Sequence, residues 1–191
     1  MITDTWHYKT LNGNEQQIGK LLKDINYLIV NYPVDKNREP DANQIMQMLW
    51  LGNFHAAHDF NFITSRRIKT IINITKNIPN KFDFIDYINY YVDDEDACKK
   101  NLFHIMNDGA DIINNSIIDK RPVLVHCKKG HHRSASMIVF YLMKYHNVSL
   151  VDGIRLIKLD RPKAFTRMIC ILKILIWYEI EKNNTSISRR Y

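Results

Sequence analysis

Pro122-Val123-Leu124-Val125-His126-Cys127-Lys128-Lys129-Gly130-His131-His132-Arg133-Ser134 is the stretch on which the reading of this chain turns. Its first five residues form a short apolar run ending in a histidine, the pattern of a strand buried on both faces of a sheet. Its middle is a tight polar loop with one glycine. From Ser134 to Tyr145 the pattern becomes helical. A buried strand that passes through a tight loop into a helix N-terminus places the loop at the carboxyl end of a sheet, where anionic ligands bind.

Working outward, strands and helices alternate. Upstream, the spacing predicts a strand near Gln47 to Leu51, a helix near His55 to Ser65, a strand at Ile68 to Ile74 and another at Tyr87 to Val92. Leu102, Ile105, Met106, Gly109, Ile112, Ile113 and Ile117 then trace one helical face. Downstream, a helix is expected from Ser149 to Leu159, with Ser149 and Asp152 as an N-terminal capping pair, and a last helix from about Phe165 to Glu181. This order predicts an α/β fold, a three-layer sandwich with a mainly parallel central sheet flanked by helices. Ahead of it, Ile18, Leu21, Leu22, Ile25, Leu28 and Ile29 mark an amphipathic helix from Glu15 to Tyr32, ended by Pro33. The polar stretch from Pro33 to Asn43 reads as a linker, so a soft boundary falls near residue 40. It separates an N-terminal extension, residues 1–40, from the main domain, residues 41–191. The apolar stripe of the extension must either dock on that domain or mediate an oligomer. No internal repeats or low-complexity tracts are evident.

Composition bounds the rest. The chain has 191 residues, 46% of them hydrophobic and 25% charged, enough for one domain with a substantial core and against wholesale disorder. A formal net charge of +7 favours anionic partners such as phosphorylated proteins, phosphoinositides or nucleic acid, although an ordinary basic surface explains the charge equally well. Three cysteines, Cys98, Cys127 and Cys170, are odd in number and widely spaced, which is no disulfide framework and implies the cytoplasm or another reducing compartment. Met1 to Lys20 shows no signal-peptide pattern. The most apolar stretch, Met168 to Ile180, is too short to span a bilayer and reads as a core helix. The eight histidines show no metal-ligand spacing, and neither metal nor cofactor is expected.

In the opening stretch a cysteine and an arginine stand with five residues between them. A loop of that length can curl until its backbone N–H groups point inward as a nest for phosphoryl oxygens, with Gly130 relieving the strain of the curve. Arg133 supplies a planar fork for two of those oxygens. The N–H dipoles and the helix N-terminus depress the thiol pKa of Cys127, so a thiolate is expected to attack phosphorus in line and form a cysteinyl-phosphate. Ser134 is expected to hydrogen-bond the departing sulfur and His126 to orient the loop. Lys128, Lys129, His131 and His132 form a basic rim facing substrate.

At these residues the sequence resembles the dual-specificity phosphatases of the cysteine-dependent protein tyrosine phosphatase superfamily, whose signature is His-Cys, five residues, then Arg-Ser or Arg-Thr. Trp50-Leu51-Gly52-Asn53 resembles an early strand motif of that family and Tyr141-Leu142-Met143 its helix after the loop, so the likeness covers about residues 45–180. It implies a protein tyrosine phosphatase-like sandwich and hydrolysis of phosphotyrosine and phosphoserine or phosphothreonine in a protein substrate. It also implies a general acid on a loop after a strand, for which Asp94 in the run Asp93-Asp94-Glu95-Asp96 is the best match, with Asp93 and Asp96 as alternatives. A run of acidic residues is otherwise a solvated loop. The basic rim equally suits phosphoinositides or inositol pyrophosphates, and other relatives act on RNA 5′ ends. A non-catalytic phosphate-binding module is the alternative of a different class. Cys98 is a candidate partner for an oxidised Cys127 and otherwise a plain small residue; Cys170 reads as core. Asn73 and Asn77 read as turn and capping residues, and Arg161-Pro162 as a loop bordering the cleft.

Overall fold

Apolar residues alternating along short strands, and gathered into stripes on helices, build a layered architecture. The computed structural model describes residues 15–32, 39–92, 102–166 and 171–188. In chain order the elements are α1 (Glu15–Asn31), β1 (Ala42–Met46), β2 (Leu49–Gly52), α2 (Phe54–Ala57), α3 (Phe60–Ser65), β3 (Thr70–Asn73), β4 (Asp86–Asn89), α4 (Leu102–Ile118), β5 (Val123–His126), α5 (Arg133–Tyr145), α6 (Leu150–Asp160) and α7 (Ile171–Ser188). The strands form one sheet in the order β1-β2-β5-β3-β4. β2, β5, β3 and β4 are parallel and β1 is antiparallel to β2, so the sheet is mixed and mainly parallel.

All four residues of β2, of β3 and of β5 are buried, as a strand covered on both faces requires. Leu49, Leu51, Ile72, Val123 and Val125 face a large core shared with α1, α4, α5, α6 and α7. Their neighbours Trp50, Ile71 and Leu124 face a smaller core with Ala57 and Ile63 from α2 and α3. Helices therefore cover both faces, unequally. α5 lies at the centre of the thicker layer, and every residue from Arg133 to Met143 is buried. The Ser149 hydroxyl caps α6, accepting from the Asp152 N–H at 3.1 Å.

α1 packs its stripe against α6 and α7, and Ile18, Ile25 and Leu28 are buried in the large core. Tyr27 and Val30 stay exposed on its outer side. No helix among the described residues is long and apolar enough to cross a membrane; α7 buries Ile171, Leu172, Leu175, Ile176 and Ile180 in the core.

Several boundaries differ from the sequence reading. The stretch expected to be linker up to Asn43 runs at Ala42 and Asn43 into an edge strand, Ala42–Met46, whose residues are half-buried or exposed and show no apolar alternation to read. It turns back through Gln47 and Met48, the latter at φ 65°, and the next strand starts at Leu49 rather than Gln47. The helix expected from His55 to Ser65 is two short ones, because the Asp59 carboxylate accepts from the N–H groups of Asn61 and Phe62 and starts a new helix. Phe165, expected to open the last helix, lies in a turn at φ 52°.

Candidate active site

The register brings Gly52, His126 and Asn73 level at the carboxyl ends of β2, β5 and β3. From there the chain leaves β5 and curls through residues 127–132 into α5. What holds the curl is visible in where its carbonyls point. The Lys128 carbonyl accepts from the Phe54 N–H at 3.4 Å, His131 from the Phe165 N–H at 3.1 Å and His132 from the Ser136 N–H at 2.8 Å. The carbonyls of Lys129 and Gly130 accept from the Arg161 side chain, at 3.1 Å from Nη2 and 2.9 Å from Nε. In a planar trans peptide the N–H of the next residue points opposite to the carbonyl. Turning these carbonyls outward therefore turns the following N–H groups inward, which makes an anion nest.

Gly130 has φ +72°, and a Cβ there would lie 2.6 Å from the Gly52 carbonyl oxygen and 2.9 Å from Arg161 Nη2. Both the backbone conformation and the space behind it demand glycine.

At the base of the nest Cys127 is buried, and its Sγ accepts from the Gly130 N–H at 3.2 Å and from the Ser134 hydroxyl at 3.3 Å. Burial pushes the thiol pKa up. It is outweighed by the Ser134 hydroxyl and N–H, the positive charge of Arg133 and the Gly130 N–H, and the net direction is down. Arg133 is buried, and its Nη1 donates to the Val92 carbonyl at 2.6 Å, tying the loop to the chain end that follows β4. A cavity of about 280 Å³ opens over the sulfur, lined by Cys127, Lys128, Lys129, His131, His132, Arg133 and Thr166.

Residues 49–180 match the family model described as dual specificity phosphatase, catalytic domain. The chain belongs to that family. It is 37% identical over 121 residues to human dual specificity protein phosphatase 21, covering 63% of this chain and 63% of the relative. It is 36% identical over 121 residues to mouse dual specificity protein phosphatase 18, again 63% of each. The chain thus spans less than two thirds of the length of these curated relatives. Among solved structures, the human tyrosine phosphatase-like serine/threonine/tyrosine-interacting protein superposes with a TM-score of 0.67 at 21% identity, covering 77% of this chain and 99% of that one. At that identity the likeness establishes the fold.

Within this dual-specificity phosphatase domain the structure gathers the expected residues Cys127, Arg133, Ser134, Gly130, Lys128, Lys129, His131 and His132 into one site. His126 lies beneath it, 1% exposed; burial above all, with the positive charges of His58 and Arg133, drives its pKa down to about 4 against a backbone hydrogen bond to Cys127. Its ring is therefore neutral at neutral pH. Asp94, with Asp93, Asp96 and Cys98, lies outside the described residues, as does Cys170. Asn73 pins the turn after β3, donating to the Ile78 carbonyl at 2.9 Å and accepting from the Thr75 hydroxyl at 2.6 Å. Among the described residues no three His, Cys, Asp or Glu side chains cluster as metal ligands would.

Sequence reasoning misplaced one contributor and missed two. Arg161, expected at the cleft edge, is 1% exposed behind the loop and holds its carbonyls. Thr166 lines the cavity from a segment read as helix. Glu39, in the presumed linker, accepts from His131 Nε2 at 2.7 Å and lies 3.5 Å from Arg161. Only the Arg161-Pro162 pair left a trace in the sequence, and it suggested a rim residue rather than a brace.

Proposed function

We propose that this chain is a protein phosphatase that hydrolyses phosphotyrosine and phosphoserine or phosphothreonine through a cysteinyl-phosphate intermediate. The observation that carries the reading is the buried Cys127 thiol with a lowered pKa, under an N–H nest and beside Arg133. In this reading the catalytic unit is residues 41–191, with residues 1–40 as an extension, and the thiolate requires a reducing compartment such as the cytoplasm.

The phosphoryl group of a phosphorylated protein enters the nest, where N–H donors of the loop and the Arg133 guanidinium hold its non-bridging oxygens. The Cys127 thiolate attacks phosphorus as the ester oxygen leaves. Asp94 donates its proton to that oxygen, so the product departs as an alcohol or phenol. The same carboxylate then takes a proton from water as it attacks the cysteinyl-phosphate, releasing phosphate. The sulfur leaves as thiolate, stabilised by the Ser134 hydroxyl. His126 supports the loop from below as a neutral ring. The hydrogen bond from Arg133 to the Val92 carbonyl supports a general acid from the acidic run that starts at Asp93, since it ties the residue just before that run to the start of α5; within the run, the resemblance favours Asp94.

A Cys127→Ser variant is expected to lose all aryl phosphate hydrolysis; undetectable activity in the unmutated protein would instead favour a phosphate-binding module. Asp94→Asn is expected to slow poor leaving groups by about 10²- to 10⁴-fold, to remove the alkaline limb of their pH profile and to affect activated aryl esters far less. An unchanged profile would move the acid role to Asp93 or Asp96.

A second reading is favoured by Lys128, Lys129, His131 and His132 all lining the cavity wall, a basic surround suited to phosphoinositides, inositol pyrophosphates or RNA 5′ ends. Catalytic efficiencies on phosphopeptides, phosphoinositides, inositol pyrophosphates and RNA 5′ triphosphate separate the two. Phosphopeptides ranking last would sink the protein phosphatase assignment.

A further inference from the structure

Glu39 stands upstream of residue 49, where the family match begins, yet its carboxylate is 9% exposed and makes three contacts behind the phosphate loop. Oε2 accepts from His131 Nε2 at 2.7 Å and lies 3.5 Å from Arg161 Nη2; Oε1 accepts from the Lys163 N–H at 3.3 Å. These partners have different duties. His131 is a wall of the cavity and a residue of the loop itself. Arg161 holds the carbonyls of Lys129 and Gly130, and also binds the Pro40 carbonyl and the Asn43 side chain at 2.9 and 2.7 Å. Lys163 lies in the turn of residues 162–165, whose Phe165 N–H holds the His131 carbonyl. Asp41, the other carboxylate nearby, accepts from Asn53 Nδ2 at 2.8 Å.

A guanidinium as buried as Arg161 needs a counter-charge, since its desolvation otherwise works against keeping it in place. An imidazole on a cavity wall needs a partner to fix its ring and tautomer. One side chain meets both needs.

We propose that Glu39 is a positioning residue of this active site: it braces Arg161 and orients His131, and through them fixes the curvature that aims the loop N–H groups at Cys127 and at the phosphoryl oxygens. The segment from Glu39 to Asn43 is thereby part of the catalytic machinery, which moves the start of the catalytic unit from residue 41 back to Glu39, and cutting the chain at the start of the family match would remove it.

The test uses the full chain and two readouts. Steady-state hydrolysis of p-nitrophenyl phosphate reports kcat and KM; this arm rests on the phosphatase reading. The pH dependence of alkylation of Cys127 by iodoacetate, followed on its own peptide by mass spectrometry, reports the thiol pKa and needs no turnover. Glu39→Gln keeps the shape and removes the charge. It is expected to lower kcat/KM by roughly tenfold to a hundredfold, the range of one charge-assisted hydrogen bond, and to raise the apparent pKa of Cys127. The sign decides. Removing a nearby negative charge lowers a thiol pKa by electrostatics alone, whereas loosening the N–H donors raises it. A pKa that falls or stays put overturns the proposal. His131→Gln severs the same pair from the other side, and the double variant should cost no more than the worse single one; additive losses would also overturn it. If Glu39→Gln does not fold, Glu39→Asp, which keeps the charge and shortens the reach, decides by the same two readouts: a raised thiol pKa then reports the loosened loop, and an unchanged one overturns the proposal. A wild-type protein without turnover sinks the phosphatase reading alone, and the alkylation arm still judges Glu39.

Discussion

His126 shows how a single side chain couples the site to the stability of the fold. Its ring is buried at the end of the central strand, and its pKa falls from 6.5 to about 4, chiefly through burial. The unfolded chain therefore binds a proton between those values that the folded chain refuses. The contribution of this group is intact above pH 6.5 and is lost as pH falls toward 4, a cost of about 3 kcal/mol at one kcal-scale step per pKa unit. Urea unfolding over pH 4 to 8 should show that loss in the wild type and a flatter curve in His126→Asn. Parallel curves would mean the ring does not titrate as its burial demands. Glu39 adds a smaller term of the same sign at lower pH. Burial raises its pKa, but His131, Arg161 and the Lys163 N–H bring it below 4.5, so its share is full above that value and fades as pH falls through the depressed one.

At the scale of elements, the loop of residues 127–132 is strained in one place and braced everywhere else. Gly130→Ala should cost at least about 1 to 2 kcal/mol from the left-handed backbone alone. The added methyl would also press on the Gly52 carbonyl, which cannot yield without disturbing β2. A lower melting temperature and a fall in kcat/KM of more than about tenfold are expected together. Gly19→Ala is the control: it lies in α1 with nothing within 4 Å of the new methyl, and should be neutral or stabilise by about 0.5 to 1 kcal/mol. If the two variants behaved alike, loop geometry would not be what makes Gly130 necessary. Elements of this kind differ in how far they can be read from sequence. β5 and α5 were legible because burial on both sides leaves apolar runs. β1 was not, since its first residues, Ala42 and Asn43, continue a polar stretch that looks like a linker until the partner strand is known.

For the whole molecule, the open matter is whether α1 is an appendage or part of the folding unit. Ile25 is fully buried in the core that also holds Val123, Met137 and Leu175. Ile25→Ala should therefore cost about 2 to 5 kcal/mol, the usual range for emptying such a site, and shift the midpoint of a single unfolding transition. If only amide exchange within α1 increased and the global midpoint stayed where it was, α1 would be an independent addition. The sequence by itself determined the alternation of strands and helices, the place of the phosphate loop and the identities of Cys127, Gly130, Arg133 and Ser134 within it. Those are local properties: periodicity, spacing and residue type along one short stretch of chain. Only the tertiary structure decided what holds that loop open. Arg161 reaches Gly130, Pro40 and Asn43, and Glu39 reaches His131, across separations of 31, 121, 118 and 92 residues. No pattern in one sequence marks such a pair, because the partners meet only after the sheet and its helices have packed.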